Sequence, residues 1–80
     1  MTIGEATVKH IYNLCREQGI TINRLAYRSG ITQSTLNNII SGRNNSVTAA
    51  TIQKICDGLG ITHREFYNDP LFDYIEQELR

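Results

Sequence analysis

The sequence predicts an all-α fold, a compact bundle of five short helices followed by a short C-terminal helix. Apolar residues recur at helical spacing rather than in alternation, and glycines interrupt these stripes at short intervals. The chain has 80 residues, of which 40% are hydrophobic and 20% charged, which suits one domain with a single core. We expect a helical domain over residues 1–68 and a helical tail over residues 69–80.

Capping residues mark the limits of each predicted helix. The first five helices are expected to begin after a threonine, at Thr2, Thr21, Thr32, Thr48 and Thr62. The first four are expected to end at Gly19, Gly30, Gly42 and Gly60, because glycine readily takes the left-handed conformation that closes a helix. Thr2 and Thr62 each precede a glutamate by three residues, which is the capping-box pattern. Asp69 and Pro70 are expected to open a last segment, Leu71 to Leu79.

The apolar stripes predict the core. Its expected members are Val8, Ile11, Leu14 and Cys15, then Leu25 and Ala26, then Leu36, Ile39 and Ile40, then Ile52, Ile55, Cys56 and Leu59, and finally Phe66. The two cysteines have no close cysteine or histidine neighbour of the kind that zinc sites use, so we expect reduced core thiols and no metal or cofactor.

Charge is unevenly distributed although the formal net charge is zero. No aspartate or glutamate occurs from Gln18 to Cys56, where Arg24, Arg28, Arg43 and Lys54 give a charge of +4. The segment from Asp57 onward carries −4. A long stretch without carboxylates is typical of a surface that faces an anion.

The segment from Ile22 to Ser41 has the local pattern of a helix-turn-helix motif. Two short helices are joined through Ser29-Gly30-Ile31-Thr32, with Leu25-Ala26 before this joint and Leu36 and Ile39 after it. In this spacing the sequence resembles the Cro and phage-repressor type of helix-turn-helix regulators, from about Val8 to Phe66. The resemblance implies a sequence-specific transcriptional regulator of double-stranded DNA, most simply a repressor, whose third helix enters the major groove.

One face of the third helix carries the residues expected to contact bases. With the apolar residues packed inward, the opposite face holds only uncharged polar side chains, namely Gln33, Ser34, Asn37 and Asn38. Contacts to the DNA backbone are expected from Thr21, Asn23, Thr32, Thr35, Arg43, Asn44, Asn45 and Ser46. For these surface residues, plain capping and loop polarity is nearly as good an interpretation.

Two departures from the family pattern concern Ile22, Cys15 and Ile40. The family often has a glutamine at the position of Ile22 that contacts a phosphate. Because an isoleucine side chain cannot form this hydrogen bond, another residue must make the contact. It also commonly pairs an arginine and a glutamate at the positions of Cys15 and Ile40. Replacing both partners of a buried ion pair by apolar groups is often neutral or stabilising, so the double change supports the alignment.

The segment from Phe66 onward contains four of the six aromatic residues, and the apolar residues of the tail allow two interpretations. The stripe Leu71, Phe72, Ile75 and Leu79 either packs back on the first helix or meets the same stripe of another copy. A homodimer on a palindromic operator would suit a module that contacts few base pairs by itself.

Other functions are less well supported by the residues. A protein-interaction module on the same scaffold, antitoxin-like or part of a regulatory complex, is the main alternative, and RNA recognition ranks below it. We find no phosphate loop, metal cluster or activated nucleophile, and His10 and His63 are expected at the surface or at caps. Because the sequence shows neither an export signal nor a membrane span, a cytoplasmic protein is expected.

Overall fold

The structure is a computed structural model that describes residues 1–41 and 47–77. These residues form five α-helices and one 3-10 helix, joined by short loops. They are α1 (Ile3–Gln18), α2 (Ile22–Ser29), α3 (Gln33–Ile40), α4 (Ala49–Leu59), α5 (His63–Tyr67) and the 3-10 helix Pro70–Asp73. These ranges contain no β-strand, and the predicted all-α fold is confirmed. None of their helices is long and apolar enough to cross a membrane.

The predicted caps are confirmed at the start of every helix. Each N-cap threonine hydroxyl accepts a hydrogen bond from the backbone N–H three residues later, as in Thr32, whose Oγ1 lies 3.0 Å from the Thr35 nitrogen. The capping boxes of α1 and α5 are both formed. Gly19, Gly30 and Gly60 end their helices in the left-handed conformation, with φ of 66°, 68° and 71°. Gly42 lies outside the described residues.

The core lies between α2 and α4, the pair of helices with the most extensive mutual contact, and α1 and α5 complete it. Its buried apolar members are Ala6, Ile11, Cys15, Leu25, Ala26, Leu36, Ile39, Ile52, Ile55, Cys56, Leu59 and Phe66. Cys15 and Cys56 are free thiols, as predicted, and burial raises the pKa of each.

Gly58 on α4 sets how closely α2 and α4 approach. A Cβ atom at this position would lie 3.0 Å from the backbone nitrogen of Ser29 and 3.1 Å from its Cα, and closer still to its Oγ. Carbon atoms in favourable contact stand about 3.5–4.0 Å apart. The missing side chain therefore lets α4 support the last residue of α2, directly before the turn into α3.

The C-terminal tail differs from the prediction. The cap at Asp69 and the first helical position at Pro70 are confirmed, but only a 3-10 helix follows, and residues 75–77 are not helical. The predicted helix from Leu71 to Leu79 is therefore wrong in the residues described. The tail instead packs on α1, where Phe72 fits against the core.

Two expectations for α1 also need correction. His10 is not at the surface, since only 4% of it is exposed and its ring meets Phe66 and Phe72 edge to face at centroid distances of 4.9 and 5.3 Å. Val8 is only half-buried, and Ala6 takes the inward position near the start of the helix. Phe66 and Phe72 are both distant from His10 in the sequence, and their rings together make a buried site for its imidazole.

Candidate nucleic-acid interface

The joint between α2 and α3 has the geometry of a helix-turn-helix. After Ser29, Gly30 turns the chain with its positive φ, and the Ile31 N–H donates to the Ala26 carbonyl at 3.1 Å. Ile31 then packs against the core and Thr32 caps α3. A glycine, a partly buried isoleucine and a cap thus fix the direction of α3 within three residues.

The four side chains predicted to read bases lie together on α3. Leu36 and Ile39 are buried on one side of this helix, whereas Gln33, Ser34, Asn37 and Asn38 are exposed on the other. No hydrogen bond joins any of these four side chains to another residue within 1–41 or 47–77. Their donors and acceptors therefore face solvent, available to a ligand.

The N-termini of the helices fall into two electrostatic classes. In α1 and α5 a capping-box glutamate, Glu5 or Glu65, brings a negative charge to the first turn. The first turns of α2, α3 and α4 carry no acidic residue. Because the first amides of a helix have no partner within it and carry partial positive charge, these three ends favour anions. The difference between the classes follows the carboxylate-free stretch of the sequence.

At the start of α3 the polar groups are held in place. The Thr32 hydroxyl donates to the Thr35 hydroxyl at 2.8 Å while it accepts from the Thr35 backbone. Thr21, Asn23, Thr32 and Thr35 are at the surface, as a contact with the DNA backbone requires. The other predicted backbone contacts, Arg43, Asn44, Asn45 and Ser46, lie outside the described residues.

The cations of α2 are exposed beside this region. Arg24 and Arg28 both lie at the surface, and the Arg24 guanidinium stands 5.2 Å from the centre of the Tyr27 ring, which is 76% exposed. This cation–π pair was not predicted, although a spacing of three residues on one helix is its sequence signal. It holds a positive charge over an aromatic surface within the helix-turn-helix.

The residues predicted for dimerisation have different surroundings. Phe72 packs inside its own protomer against His10 and Tyr67, whereas Leu71 and Ile75 are half-buried. Leu79 lies outside the described residues. Leu71 also lines an open, mainly apolar cleft whose other walls are Met1, Asp69, Pro70 and Tyr74.

Cys15 and Ile40 occupy apolar surroundings. Cys15 is a member of the core, and Ile40 is half-buried and packs against the same core. Only 4% of Cys15 is exposed, so an unpaired charge at this position would have almost no contact with solvent. Over the described part of the chain, no three histidine, cysteine, aspartate or glutamate side chains are grouped to hold a metal ion.

Comparison with known proteins agrees with this architecture. The family model of the Cro/C1-type HTH DNA-binding domain matches residues 3–70. A solved structure described as the crystal structure of the prophage Lp1 protein 11 is 37% identical, with a TM-score of 0.82, and the match covers 94% of this chain and 99% of that chain. No curated protein matches the chain. The chain belongs to the Cro/C1-type helix-turn-helix DNA-binding family.

Proposed function

We propose that this protein is a sequence-specific regulator of transcription that inserts α3 into the major groove of an operator and acts as a repressor by occupying it. The observation that carries this proposal is the exposed, uncharged polar face of α3, next to helix ends without carboxylates. Phosphate contacts would position the domain, and the side chains of α3 would distinguish base pairs. This is a binding function without a catalytic step, and a cytoplasmic location remains a prediction.

The division of roles follows from the chemistry at each surface. Gln33, Ser34, Asn37 and Asn38 have no charge, so affinity must come mainly from the phosphate contacts around them. Thr21, Asn23, Thr32 and Thr35 supply hydroxyl and amide groups there, and the first amides of α2 and α3 supply backbone donors. We assign Arg43, Asn44, Asn45 and Ser46 to the same surface on sequence grounds alone.

The test is selection of binding sites from random duplexes, followed by affinity measurements on the selected site. Gln33→Ala combined with Asn38→Ala should weaken binding at least tenfold, about 1.4 kcal/mol, because each amide can make a bidentate base contact. Asn68→Ala combined with Gln77→Ala is the matched control, since it removes the same two side-chain types from exposed positions near the C-terminus. The proposal fails if no site is enriched, or if both double variants bind the selected site equally.

We also propose that two copies bind a palindromic operator as a homodimer. One helix-turn-helix contacts few base pairs, and two copies related by a two-fold axis can read half-sites about one DNA turn apart. In the described part of the tail, Leu71, Tyr74 and Ile75 present apolar surface that is not fully packed within the protomer. A mass measurement of the complex with a palindromic duplex should give two chains per duplex, and one chain would contradict the dimer.

A protein-binding function is the second candidate, and the exposed aromatic residues favour it. Tyr74 lines the cleft together with Met1 and Leu71 and is 79% exposed, so its ring is free to contact a partner and contributes little to the core. Salt dependence separates the candidates, because DNA binding weakens with a slope of about −0.9 per phosphate contacted on a log–log plot. A partner complex whose affinity barely changes with salt would favour the protein-binding function.

A further inference from the structure

The third residue of α2 has the opposite charge to the residue that occupies the same position in α1 and α5. In α1 and α5 this residue is a glutamate, Glu5 or Glu65, which closes the capping box. In α2 it is Arg24, whose backbone N–H donates to the Thr21 hydroxyl at 3.1 Å. A cation is unfavourable in the first turn of a helix, because the amides there carry partial positive charge. Helix stability therefore does not explain an arginine at this position.

The charge of Arg24 has no compensating carboxylate in the described part of the chain. Its side chain is exposed and forms no salt bridge within 1–41 or 47–77. Arg16 and Arg28, by contrast, lie in the last turns of α1 and α2, where the helix carbonyls stabilise a cation. A residue that opposes its local environment without an internal partner is typical of a functional site. The charge of Arg24 suits an external anion.

The ring of Tyr27 holds this guanidinium near the start of α2. Helical side chains lean toward the N-terminus of their helix, so the Tyr27 ring covers the turn that contains Arg24. The guanidinium carbon stands 5.2 Å from the ring centre, within the range of about 6 Å for a cation–π contact. An arginine restrained in this way has less side-chain freedom to lose when it binds a ligand.

We infer that Arg24 binds one phosphate of the DNA backbone beside α2 and that Tyr27 is a positioning residue for this contact. The inference rests on the proposed function and adds an ionic contact to the hydroxyl and amide contacts assigned there. A guanidinium can stack on an aromatic ring and still direct two N–H groups to two oxygens of one phosphate, because its donors lie in its plane. Such a contact contributes affinity for every DNA sequence and does not distinguish base pairs.

Salt dependence measures the contact of Arg24 directly. Arg24→Gln removes the charge but keeps a side chain that can close a capping box with Thr21, so the melting temperature should be unchanged or higher. On the duplex selected from random sequences, the log–log slope of affinity against salt should become less steep by about 0.9, the value for one phosphate. The loss of affinity should therefore be about 3.5-fold larger at 50 mM than at 200 mM salt.

Uncharged phosphate analogues identify the phosphate that Arg24 contacts. Phosphates of the selected site are replaced one at a time by methylphosphonate, which removes a single charge from the DNA. At one position the native protein should lose at least about threefold in affinity. Arg24→Gln should bind the modified and unmodified duplexes within about twofold of each other. Arg64→Gln is the matched control, because it removes an exposed arginine outside the carboxylate-free stretch, and it should keep the native slope.

Variants of Tyr27 test its positioning role. Tyr27→Ala should weaken binding about two- to fivefold, the range of an exposed cation–π contact, without a change in the salt slope, because the charge of Arg24 remains. Tyr27→Phe should restore the native affinity, since it keeps the ring. In the Arg24→Gln background, Tyr27→Ala should cause no further loss, because Tyr27 acts through Arg24.

Three results would overturn the inference. They are a native salt slope for Arg24→Gln, the absence of any methylphosphonate position that separates this variant from the native protein, and an equal effect of Tyr27→Ala in both backgrounds. Each would leave the selected site and its recognition by α3 intact. Failure of the proposed function is different, because the selection would then enrich no site at all.

Discussion

Replacing Gly58 by alanine tests whether α4 positions the helix-turn-helix through close contact with Ser29. The new Cβ would stand 3.0 Å from the Ser29 nitrogen and 3.1 Å from its Cα, about half an ångström inside ordinary contact. Its conflict with Ser29 Oγ can be relieved by rotation of the serine side chain. The two backbone contacts can be relieved only if α2 moves away from α4.

The magnitude follows from two opposing terms. Overpacking a core typically costs about 1–3 kcal/mol, whereas replacing glycine by alanine inside a helix returns about 0.5–1 kcal/mol. We expect a net loss of about 1 kcal/mol, which lowers the melting temperature of a domain of this size by about 4–8 °C. Because Ser29 is the last residue of α2, the shift should also reach α3.

Thermal unfolding followed by circular dichroism is the assay, and a double-mutant cycle with Ser29→Ala is the control. Because the cost comes from the backbone of Ser29, Gly58→Ala should cost nearly as much in the Ser29→Ala background, with a coupling energy below about 0.5 kcal/mol. The reasoning is refuted if Gly58→Ala raises the melting temperature, because helix propensity alone would then describe the site.

Three further predictions concern a buried hydroxyl, a helix end and the thiols. Ser29→Ala should raise the free energy of unfolding by about 1 kcal/mol in urea titrations, because its buried Oγ has no hydrogen-bond partner among the described residues; a loss would contradict this. Thr35→Glu should complete a capping box at α3 and keep the melting temperature unchanged or higher, yet weaken DNA binding more than fivefold by repelling phosphate. Equal affinity of Thr35→Glu and native protein would contradict the anion-facing role, and Glu65→Gln at α5 is the control that should leave binding unchanged. Burial raises the thiol pKa of Cys15 and Cys56, so their contribution to stability should be constant below the ordinary thiol pKa of about 8.5 and should fall above it. The unfolded chain then loses protons that the folded chain retains, and a Cys15→Ala, Cys56→Ala variant should show a smaller fall between pH 8.5 and 10 in urea titrations.

Local capping chemistry made much of this fold predictable from sequence. Thr21, Thr32 and Thr48 act within three residues of themselves, and Gly30 needs only its own backbone freedom, so each is visible in a short window. The same holds for the face of α3, because Leu36 and Ile39 fix which side is buried.

The predictions for the C-terminal helix and for His10 were wrong because both depend on contacts between residues that are distant in the sequence. Asp69 and Pro70 correctly marked a helical start, but short helices are marginal unless tertiary packing supports them, and here Phe72 packs onto α1 after a single turn. His10 is buried because Phe66 and Phe72 pack around it. The spacing of apolar residues within α1 cannot predict contacts with rings that lie elsewhere in the sequence. The cation–π pair of Arg24 and Tyr27 is local, but both residues are exposed and therefore add nothing to the apolar pattern that predicts packing.

Chemical-shift mapping of the ¹⁵N-labelled protein with its selected duplex tests the central proposal most directly. We predict the largest changes at the backbone amides of residues 33–38 and at the side-chain amides of Gln33, Asn37 and Asn38, with smaller changes at the start of α2. Smaller changes are also expected at the amides of Leu71 and Tyr74, because the proposed pairing of two copies on the operator would cover this surface. Changes concentrated around the cleft at Leu71 and Tyr74, with α3 unaffected, would contradict major-groove reading by α3.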